Sequence, residues 1–327
     1  MKHNLLCLDG EAVFPVSDPH WKRFDLIEGL DSYQIYNHYP HDDEEGIIAN
    51  LRDCTMALTN KVPLNSRIIS ALPGLKYIGV LATGYNVVDV EAASRAGITV
   101  TNIPAYSTAS VAQMAISHLL AITNRVEYYA ACNRGGKWSK QPDFCYRDFP
   151  LPELAGRRFG VVGFGNTGRA TAAIAAALGM EVAVYTSKSA SDLPAGYVKT
   201  GLDELFVTSD VVSLHCPLTP DTRNLVDASR LAMMKPTAIL INTSRGPVVD
   251  EAALADALRA GVIAAAGLDV LCQEPPEAAN PLLSLPNCFI SPHIAWASDA
   301  ARERLFDIAI GNVGSFIAGT PVNVVNR

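Results

Sequence analysis

Four side chains that can bind an anion or move a proton follow predicted strands in the second half of the chain. Arg245 follows the apolar run AILINTS, and His293 follows CFISP. Asp269 lies within AAGLDV, with Glu274 just beyond it. In an open parallel sheet, ligands bind in the crevice beyond the carboxyl ends of the strands. We therefore expect a cation, two carboxylates and an imidazole to meet at one edge of a sheet.

A glycine-rich turn earlier in the chain predicts a dinucleotide site at the same edge. Gly163, Gly165 and Gly168 have the G-x-G-x-x-G spacing, after the apolar strand RFGVV and before an Ala-rich helix that ends at Gly179. The first glycine permits the tight turn, the second lets the backbone approach a pyrophosphate, and the third lets helix and strand pack closely. The helix N-terminus adds unpaired N–H groups for the anion.

Together the two features match the needs of 2-keto acid reduction. This reaction requires a cation for the substrate carboxylate, a proton donor for the carbonyl oxygen and a hydride source. Histidine can donate a proton near neutral pH, and a neighbouring carboxylate favours its charged form. Taken singly, Arg245 could be a surface ion-pair partner, Glu274 a turn residue and His293 an ordinary loop histidine. As a set they predict a catalytic site in which Glu274 partners His293.

The ribose end of the predicted site lacks the usual acidic residue. About twenty residues after the glycine turn, Asp or Glu commonly binds the adenosine ribose. At this place the chain has Thr186, Ser187 and Lys188. Two hydroxyls and a cation would accept the 2′-phosphate that a carboxylate would repel. The sequence therefore leans slightly to NADP over NAD, and a polar turn that accepts either cofactor is the alternative.

The composition excludes other functional classes. The chain has 327 residues, 49% of them hydrophobic and 18% charged, which indicates a globular protein of about two domains. A net charge of −7 without a Lys/Arg-rich block argues against a nucleic-acid partner. We find neither a signal-peptide segment nor a run approaching ~18 apolar residues, so no membrane partner is expected. Seven scattered cysteines without a CxxC pair argue against disulfides and a metal site, and favour a cytoplasmic protein.

Alternating strands and helices predict a parallel-sheet α/β protein. The predicted strands are NLLCL, YQIYN, MALT, YIGVLA and ITVTN in the first third, then RFGVVG, EVAVY, DVVSLHC, AILINTS, AAGLDVL and CFISP. The last six form a complete doubly wound domain. A long helix, STASVAQMAISHLLAITNRVEYYAA, is expected to bridge two domains, and another runs from Ser298 to Gly319. The C-terminal PVNVVNR is expected to return to the first domain.

An irregular stretch before RFGVVG carries four aromatic residues and is long for a connection. These residues are Trp138, Phe144, Tyr146 and Phe149. Two interpretations stay open: a surface loop packed on its own domain, or an arm that buries the aromatics against a second subunit.

Motifs at five separated places resemble one known family, the D-isomer-specific 2-hydroxyacid dehydrogenases. They are GFGNTG, LHCPLTPDTRNLVD, INTSRGPVVDEAAL, GLDV followed by Glu274-Pro275, and SPHIAWAS. The likeness covers nearly the whole chain, including LATGYNVVDV and TNIPAYSTASVAQ in the first half. Within the family, ATGYN and PHIAWAS are most similar to the glycerate dehydrogenase/hydroxypyruvate reductase branch.

The resemblance implies a role for each candidate residue. Arg245 would bind the substrate carboxylate and polarise the carbonyl, His293 would be the general acid/base, and Glu274 would pair with His293. The backbone at Thr83 and Gly84 would make a second carboxylate contact. The implied cofactor-binding set is Gly163, Gly165, Asn166, Thr167, Gly168, Thr186, Ser187, Lys188, Cys216, Pro217, Thr108, Thr243 and Asp269, the last lying near the nicotinamide.

The resemblance also implies a domain plan and an assembly. Residues 1–102 plus 298–327 would form a smaller, discontinuous, flavodoxin-like substrate domain. This domain would close over the crevice of a Rossmann dinucleotide-binding domain at residues 103–297. The expected assembly is a homodimer.

Three departures from the family pattern bear on substrate and cofactor. Thr186 replaces the usual acidic ribose contact, which leaves the cofactor preference open. Gln113 stands where many members have Glu, and Ala295-Trp296 stands where many have a Gly pair, so pocket shape and substrate choice are open. The chain stops at Arg327 without a regulatory domain, which argues against the long, serine-regulated phosphoglycerate dehydrogenase type.

These observations lead to one hypothesis with two kinds of alternative. The hypothesis is an NAD(P)H-dependent reductase of small 2-keto acids, hydroxypyruvate or glyoxylate first, that yields the D-2-hydroxy acid. Within the family, the alternatives are D-lactate and D-3-phosphoglycerate dehydrogenases. Outside catalysis, the alternative is an NAD(H)-sensing binding module, since family relatives include corepressors.

Overall fold

Two parallel sheets organise the protein, each in its own unit of the chain. The computed structural model describes residues 2–326. The first unit contains the residues up to Ser107 together with those from Ala297 onward, and the second spans Thr108–Trp296. The two α/β domains predicted from the sequence are therefore confirmed.

The first unit contains a five-stranded parallel sheet in the order β2-β1-β3-β4-β5. This is the flavodoxin-like order. Its strands are β1 (Asn4–Cys7), β2 (Ser32–Ile35), β3 (Met56–Thr59), β4 (Tyr77–Val80) and β5 (Thr99–Thr101). Its helices are α1 (Glu44–Leu51), α2 (Ser66–Ser70), α3 (Val90–Arg95) and α10 (Asp299–Ile317).

Polar caps and apolar faces explain the three short helices. Asp43, Asn65 and Asp89 precede α1, α2 and α3, and each side chain accepts a backbone N–H of the first turn. Such caps satisfy donors that the helix leaves unpaired. Ile47 of α1 and Ile68 of α2 then pack in the core with the strand residues.

The C-terminal segment returns to the first sheet, as the sequence predicted. The Val325 N–H donates to the Val100 carbonyl over 2.9 Å. The Val100 N–H donates to Oδ1 of Asn326 over 2.8 Å. The helix before this segment, α10, starts at the Ser298 cap, close to the predicted bounds.

The second unit contains a seven-stranded parallel sheet in the order β12-β11-β10-β9-β6-β7-β8. Its strands are β6 (Arg158–Val162), β7 (Glu181–Tyr185), β8 (Val198–Lys199), β9 (Val211–Leu214), β10 (Ile239–Asn242), β11 (Ala265–Leu268) and β12 (Cys288–Ile290). Its helices are α4 (Thr108–Asn124), α5 (Val126–Arg134), α6 (Asn166–Ala177), α7 (Leu202–Thr208), α8 (Ala228–Met233) and α9 (Glu251–Arg259). The order is that of a Rossmann domain with one extra strand, and its switch point lies between β6 and β9.

Alternate residues of these strands pack into two separate hydrophobic cores, one on each face of the sheet. Val161 and Ile241 pack on the face that α4 and α6 cover, where Leu119 of α4 is buried. Their neighbours Val162 and Leu240 pack on the opposite face. This period of two explains why the strands appear in the sequence as continuous apolar runs.

Two predicted features of the second unit were wrong. The six predicted strands omit β8, whose two residues are both exposed at the sheet edge. The predicted bridging helix is broken at Arg125, which adopts a left-handed backbone with φ of 53° and separates α4 from α5. Within residues 2–326, none of the helices combines the length and apolarity that a membrane span requires.

Candidate active site

An imidazole and a carboxylate form a direct pair at the carboxyl edge of the second sheet. His293 lies in the loop after β12, and Glu274 lies in the loop after β11. The His293 Nδ1 and the Glu274 Oε2 are 2.6 Å apart. The Leu271 N–H donates to the other carboxylate oxygen over 2.9 Å. With Nδ1 engaged by the carboxylate, Nε2 is the ring nitrogen that can exchange a proton with a ligand.

The electrostatics of Glu274 favour its charged form. Burial alone would raise the pKa of this carboxyl group. The hydrogen bonds from His293 and from the Leu271 N–H outweigh burial, and the positive charge of Arg245 adds to them, so the pKa lies below its ordinary value. A charged carboxylate beside the ring accepts from Nδ1 and holds the imidazole in one orientation.

Arg245 reaches the same edge through the loop after β10. The Asn242 side chain donates to the Arg245 carbonyl over 2.9 Å, which fixes the start of this loop. At Gly246, an added Cβ would lie 2.0 Å from the backbone of Leu271. Only glycine therefore lets the Arg245 loop pack against the loop that leads to Glu274. The guanidinium itself is exposed, and its Nη1 donates to the Ser244 carbonyl over 2.7 Å.

Asp269 is buried beneath the loop that carries His293. Its side chain accepts hydrogen bonds from the N–H groups of Ile294 and Ala295 and from the Ser291 hydroxyl. Asp269 is 1% exposed. In this structure Asp269 therefore holds the His293 loop, and the position near the nicotinamide that the resemblance implied stays a prediction.

The glycine turn connects β6 to α6 beside the end of β9. Gly163 has φ of +93°, and an added Cβ would lie 2.8 Å from the His215 carbonyl. An added Cβ at Gly168 would lie 2.1 Å from the Gly163 carbonyl, so both positions require glycine. At Gly165, an added Cβ would meet nothing within 4 Å, which leaves open space in front of the turn.

The start of α6 provides donors toward that space. Asn166 and Thr167 are the first residues of this twelve-residue helix, which has Gly165 as its N-cap. The first N–H groups of an α-helix have no intrahelical partner and favour a phosphate. The turn and the helix start thus fit the pyrophosphate of a dinucleotide.

Neighbouring strand ends add polar and apolar contacts. Thr243 follows β10, and its buried hydroxyl has no hydrogen-bond partner within residues 2–326, as expected of a group that awaits a ligand. Cys216 and Pro217 follow β9, and burial raises the pKa of the Cys216 thiol. Burial also lowers the pKa of the adjacent His215 to about 4, so this imidazole is neutral. Thr108 begins α4.

The predicted ribose turn lies after β7 and is more basic than the sequence indicated. The Lys188 N–H donates to the Thr186 hydroxyl over 3.2 Å, and Ser187 is exposed. The ammonium group of Lys199, in β8, donates a hydrogen bond to the Lys188 carbonyl over 2.5 Å. A second lysine therefore reaches the turn from the edge strand that sequence reasoning missed.

Thr83 and Gly84 follow β4 in the first unit. The Thr83 hydroxyl donates to the Ile103 carbonyl over 2.8 Å, and the Asn102 side chain donates to the Thr83 carbonyl over 2.8 Å. These bonds fix the shape of the loop within its own unit.

Sequence reasoning missed four residues around the predicted site. They are His118, Lys199, His215 and Ser291. Two of them could have been noticed, because His215 directly precedes Cys216-Pro217 and Ser291 directly precedes Pro292-His293. His118 gives no such signal, since it occupies one position of an apolar helix.

Comparisons with known proteins agree with this geometry. Residues 116–295 match the family described as D-isomer specific 2-hydroxyacid dehydrogenase, NAD binding domain. A hydroxypyruvate reductase of Blautia hydrogenotrophica is 44% identical over 326 residues, with 99% of each chain covered. A glycerate dehydrogenase of Methylorubrum extorquens is 41% identical, with 91% of this chain and 96% of that protein covered.

A solved structure shows the same fold. It is the NADPH-dependent glyoxylate/hydroxypyruvate reductase of Sinorhizobium meliloti, in complex with NADP and malonate. It superimposes with a TM-score of 0.84 at 30% identity and covers 99% of this chain and 97% of its own. The resemblance noted in the sequence is thus confirmed, and the chain belongs to the D-isomer-specific 2-hydroxyacid dehydrogenase family.

Proposed function

We propose that the protein is an NAD(P)H-dependent reductase that converts a small 2-keto acid, hydroxypyruvate or glyoxylate first, into the D-2-hydroxy acid. The observation that carries the proposal is the 2.6 Å contact between His293 and Glu274, close to Arg245. These groups lie at the sheet edge that also holds the glycine turn. The hydroxypyruvate and glyoxylate reductases among the relatives support this choice of substrates.

The chain's own residues supply acid, anion binding and orientation. Arg245 pairs with the substrate carboxylate and draws electron density from the carbonyl oxygen. Protonated His293 donates from Nε2 to that oxygen, while Glu274 holds Nδ1 and stabilises the imidazolium. The backbone at Thr83 and Gly84 makes the second carboxylate contact in this proposal.

The dinucleotide is held by the glycine turn, the start of α6, Thr243, Cys216-Pro217 and Thr108, with Asp269 near its nicotinamide. When bound in its reduced form, it supplies the hydride for C2 of the substrate. In the reverse direction His293 accepts the proton from the hydroxyl group, so the same residue serves both directions.

For the cofactor, we propose a slight preference for NADPH over NADH. Support comes from the turn at Thr186, Ser187 and Lys188, which has hydroxyls and a cation where a carboxylate would select NAD. Lys199 adds a second ammonium group at the Lys188 carbonyl. Both lysines would attract the 2′-phosphate of NADPH.

For the domain roles and assembly, we propose a substrate domain from residues 1–102 plus 298–327, a dinucleotide domain at 103–297, and a homodimer. Exposed aromatics of the irregular stretch support the dimer, since Trp138 is 53% and Phe144 88% exposed. By contrast, Tyr146 bonds to Asn133 and Phe149 packs on Tyr128, both within their own unit. Sedimentation should give the mass of two chains.

The seven free thiols support a cytoplasmic location.

A substrate panel tests the proposed activity. Consumption of NADH and of NADPH is followed in parallel with hydroxypyruvate, glyoxylate, pyruvate and phosphohydroxypyruvate. We expect the fastest turnover with hydroxypyruvate or glyoxylate, and a modestly higher kcat/KM with NADPH. Preference for pyruvate or the phosphorylated acid would replace the substrate assignment. Cofactor binding without turnover of any keto acid would instead indicate a binding module.

A further inference from the structure

The loop that carries His293 wraps around a single buried side chain. Oδ1 of Asp269 accepts the N–H of Ile294 over 3.0 Å, and Oδ2 accepts the N–H of Ala295 over 2.8 Å. The backbone carbonyl of Asp269 accepts the N–H of His293 over 2.8 Å. The loop position of the imidazole is therefore set by Asp269.

The backbone of His293 needs this support. Its φ is +54°, in the left-handed region that side chains other than glycine rarely adopt. Such a conformation costs on the order of 1–3 kcal/mol and persists only when the surroundings hold it. The hydrogen bonds that Asp269 accepts from the N–H groups of His293 and of the two residues after it supply that restraint.

Two further side chains hold Asp269 in turn. The Ser291 hydroxyl donates to Oδ1 of Asp269 over 2.6 Å. Nε2 of His118 lies 3.0 Å from the same hydroxyl oxygen. Because the serine proton points to the carboxylate, the bond from His118 requires a proton on Nε2. Burial lowers the pKa of His118, against the opposing charge of Asp269, so the ring is neutral and donates as the Nε2–H tautomer.

His118 reaches these hydrogen bonds from α4, the helix that packs against β11. His118 is a buried residue of α4. An added Cβ at Gly267 in β11 would lie 2.7 Å from the Cβ of His118. A side chain at position 267 would therefore push α4 away and open the bond to Ser291.

We propose that His118 and Ser291 are positioning residues for the proposed reaction, acting through Asp269 to set the position and orientation of His293. The proposal rests on the function assigned above. Among the described residues, the side chains of His118 and Ser291 make no hydrogen bond with the side chains of His293 and Glu274, so their effect is on geometry. Small misplacement of a reacting group lowers turnover more than it lowers ligand binding.

Substitutions at the two positions separate positioning from simple core stability. Ser291→Ala and His118→Leu remove one hydrogen bond each, and Ser291→Thr and His118→Gln keep a hydroxyl or an N–H donor. We expect about a 10-fold loss of kcat in the first two variants with little change in KM for either substrate, and recovery in the second two. The double variant Ser291→Ala/His118→Leu should be no worse than the stronger single variant, because both act through the same carboxylate oxygen.

A matched control lies five residues further along the same helix. Thr123 is 2% exposed, and its hydroxyl bonds within α4 to the Leu119 carbonyl over 2.9 Å. Thr123→Val should lower the thermal midpoint without changing kcat. If Ser291→Ala behaved like Thr123→Val, with kcat retained, the positioning role would be wrong.

A second readout does not depend on turnover. The chemical shifts of the His293 ring nitrogens, followed by NMR at one fixed pH, should change in Ser291→Ala and His118→Leu, because a displaced ring loses its short bond to Glu274. They should not change in Thr123→Val. Unchanged ring shifts in both variants would overturn the proposal. A wild type that is inactive with every keto acid would overturn the proposed function, and the ring shifts would still decide whether these residues position His293. If His118→Leu does not fold, the smaller Ser291→Ala change decides.

Discussion

The loop Ser291–Ala295 and the turn Thr186–Ser189 lie at the two ends of the predicted dinucleotide site and are built differently. The loop is held by the buried carboxylate of Asp269, which accepts three hydrogen bonds from the loop. The turn is largely exposed, and its main supports are the bond between Lys188 and Thr186 and the contact from Lys199. Proton transfer requires exact placement, whereas recognition of a phosphate can rely on charge. Under the proposed function, the loop is therefore the rigid chemical end of the site and the turn is its adaptable specificity end.

The largest effect should follow from removal of the acid itself. His293→Ala should lower kcat for keto acid reduction by ~100-fold or more, because the acid that protonates the carbonyl oxygen is lost. Steady-state kinetics measures this loss, and binding of NADPH, followed by fluorescence, should be unchanged. Near-normal turnover would show that the rigid loop is not the chemical end of the site.

Loss of the substrate cation should have an effect of comparable size. Arg245→Ala should lower kcat/KM, because the keto acid carboxylate loses its charged partner. The corresponding loss of transition-state stabilisation should be about 2–5 kcal/mol. Arg245→Lys should recover part of the loss, since an ammonium group keeps the charge but not the two-pronged geometry. Equal activity of the Ala and wild-type proteins across the substrate panel would contradict the role.

The acidic partner should affect the pH profile more than the maximum rate. The pKa of Glu274 lies below its ordinary value, so this group stays charged through the neutral range. Keto acid reduction should fall as the pH drops through the lowered pKa of Glu274, because the protonated carboxyl group no longer holds Nδ1 of His293 as a charged acceptor. In Glu274→Gln, which cannot ionise, this acid-side fall should disappear, with about a 10-fold lower rate at neutral pH. A profile identical to that of the wild type would exclude the coupling.

The smallest effect is expected at the exposed turn. Lys199→Ala should raise KM for NADPH by about 3- to 10-fold and leave KM for NADH unchanged, because one exposed cation contributes little. Lys76→Ala is a matched control, since the Lys76 ammonium also donates to a backbone carbonyl, that of Pro73, over 3.1 Å. An equal change for both cofactors would argue against a 2′-phosphate contact at this end.

The fold was predictable where local pattern and tertiary packing agree. Strands such as β9 and β10 are buried at every position, so they appear in the sequence as apolar runs. The exposed, two-residue β8 carries no such run and was missed. The break at Arg125 was also missed, because a left-handed arginine has no sequence signal of the kind that glycine gives.

The candidate site was likewise predictable only where local pattern was enough. The glycine spacing and the residues at strand ends could be predicted, since both follow from the geometry of a parallel sheet. The bond between His118 and Ser291 joins residues 173 positions apart, and only the packing of α4 on β11 brings them together. The contribution of Lys199 depends on the pairing of β8 with β7, which the sequence did not indicate.

A crystal structure with NADPH and oxamate, an unreactive analogue of a small 2-keto acid, tests the central claim most directly. We expect Nε2 of His293 at about 2.6–3.2 Å from the C2 oxygen of the analogue, with Arg245 on a carboxylate. The glycine turn should hold the pyrophosphate. An analogue bound away from both side chains, or a His293 ring turned from the nicotinamide, would contradict the account.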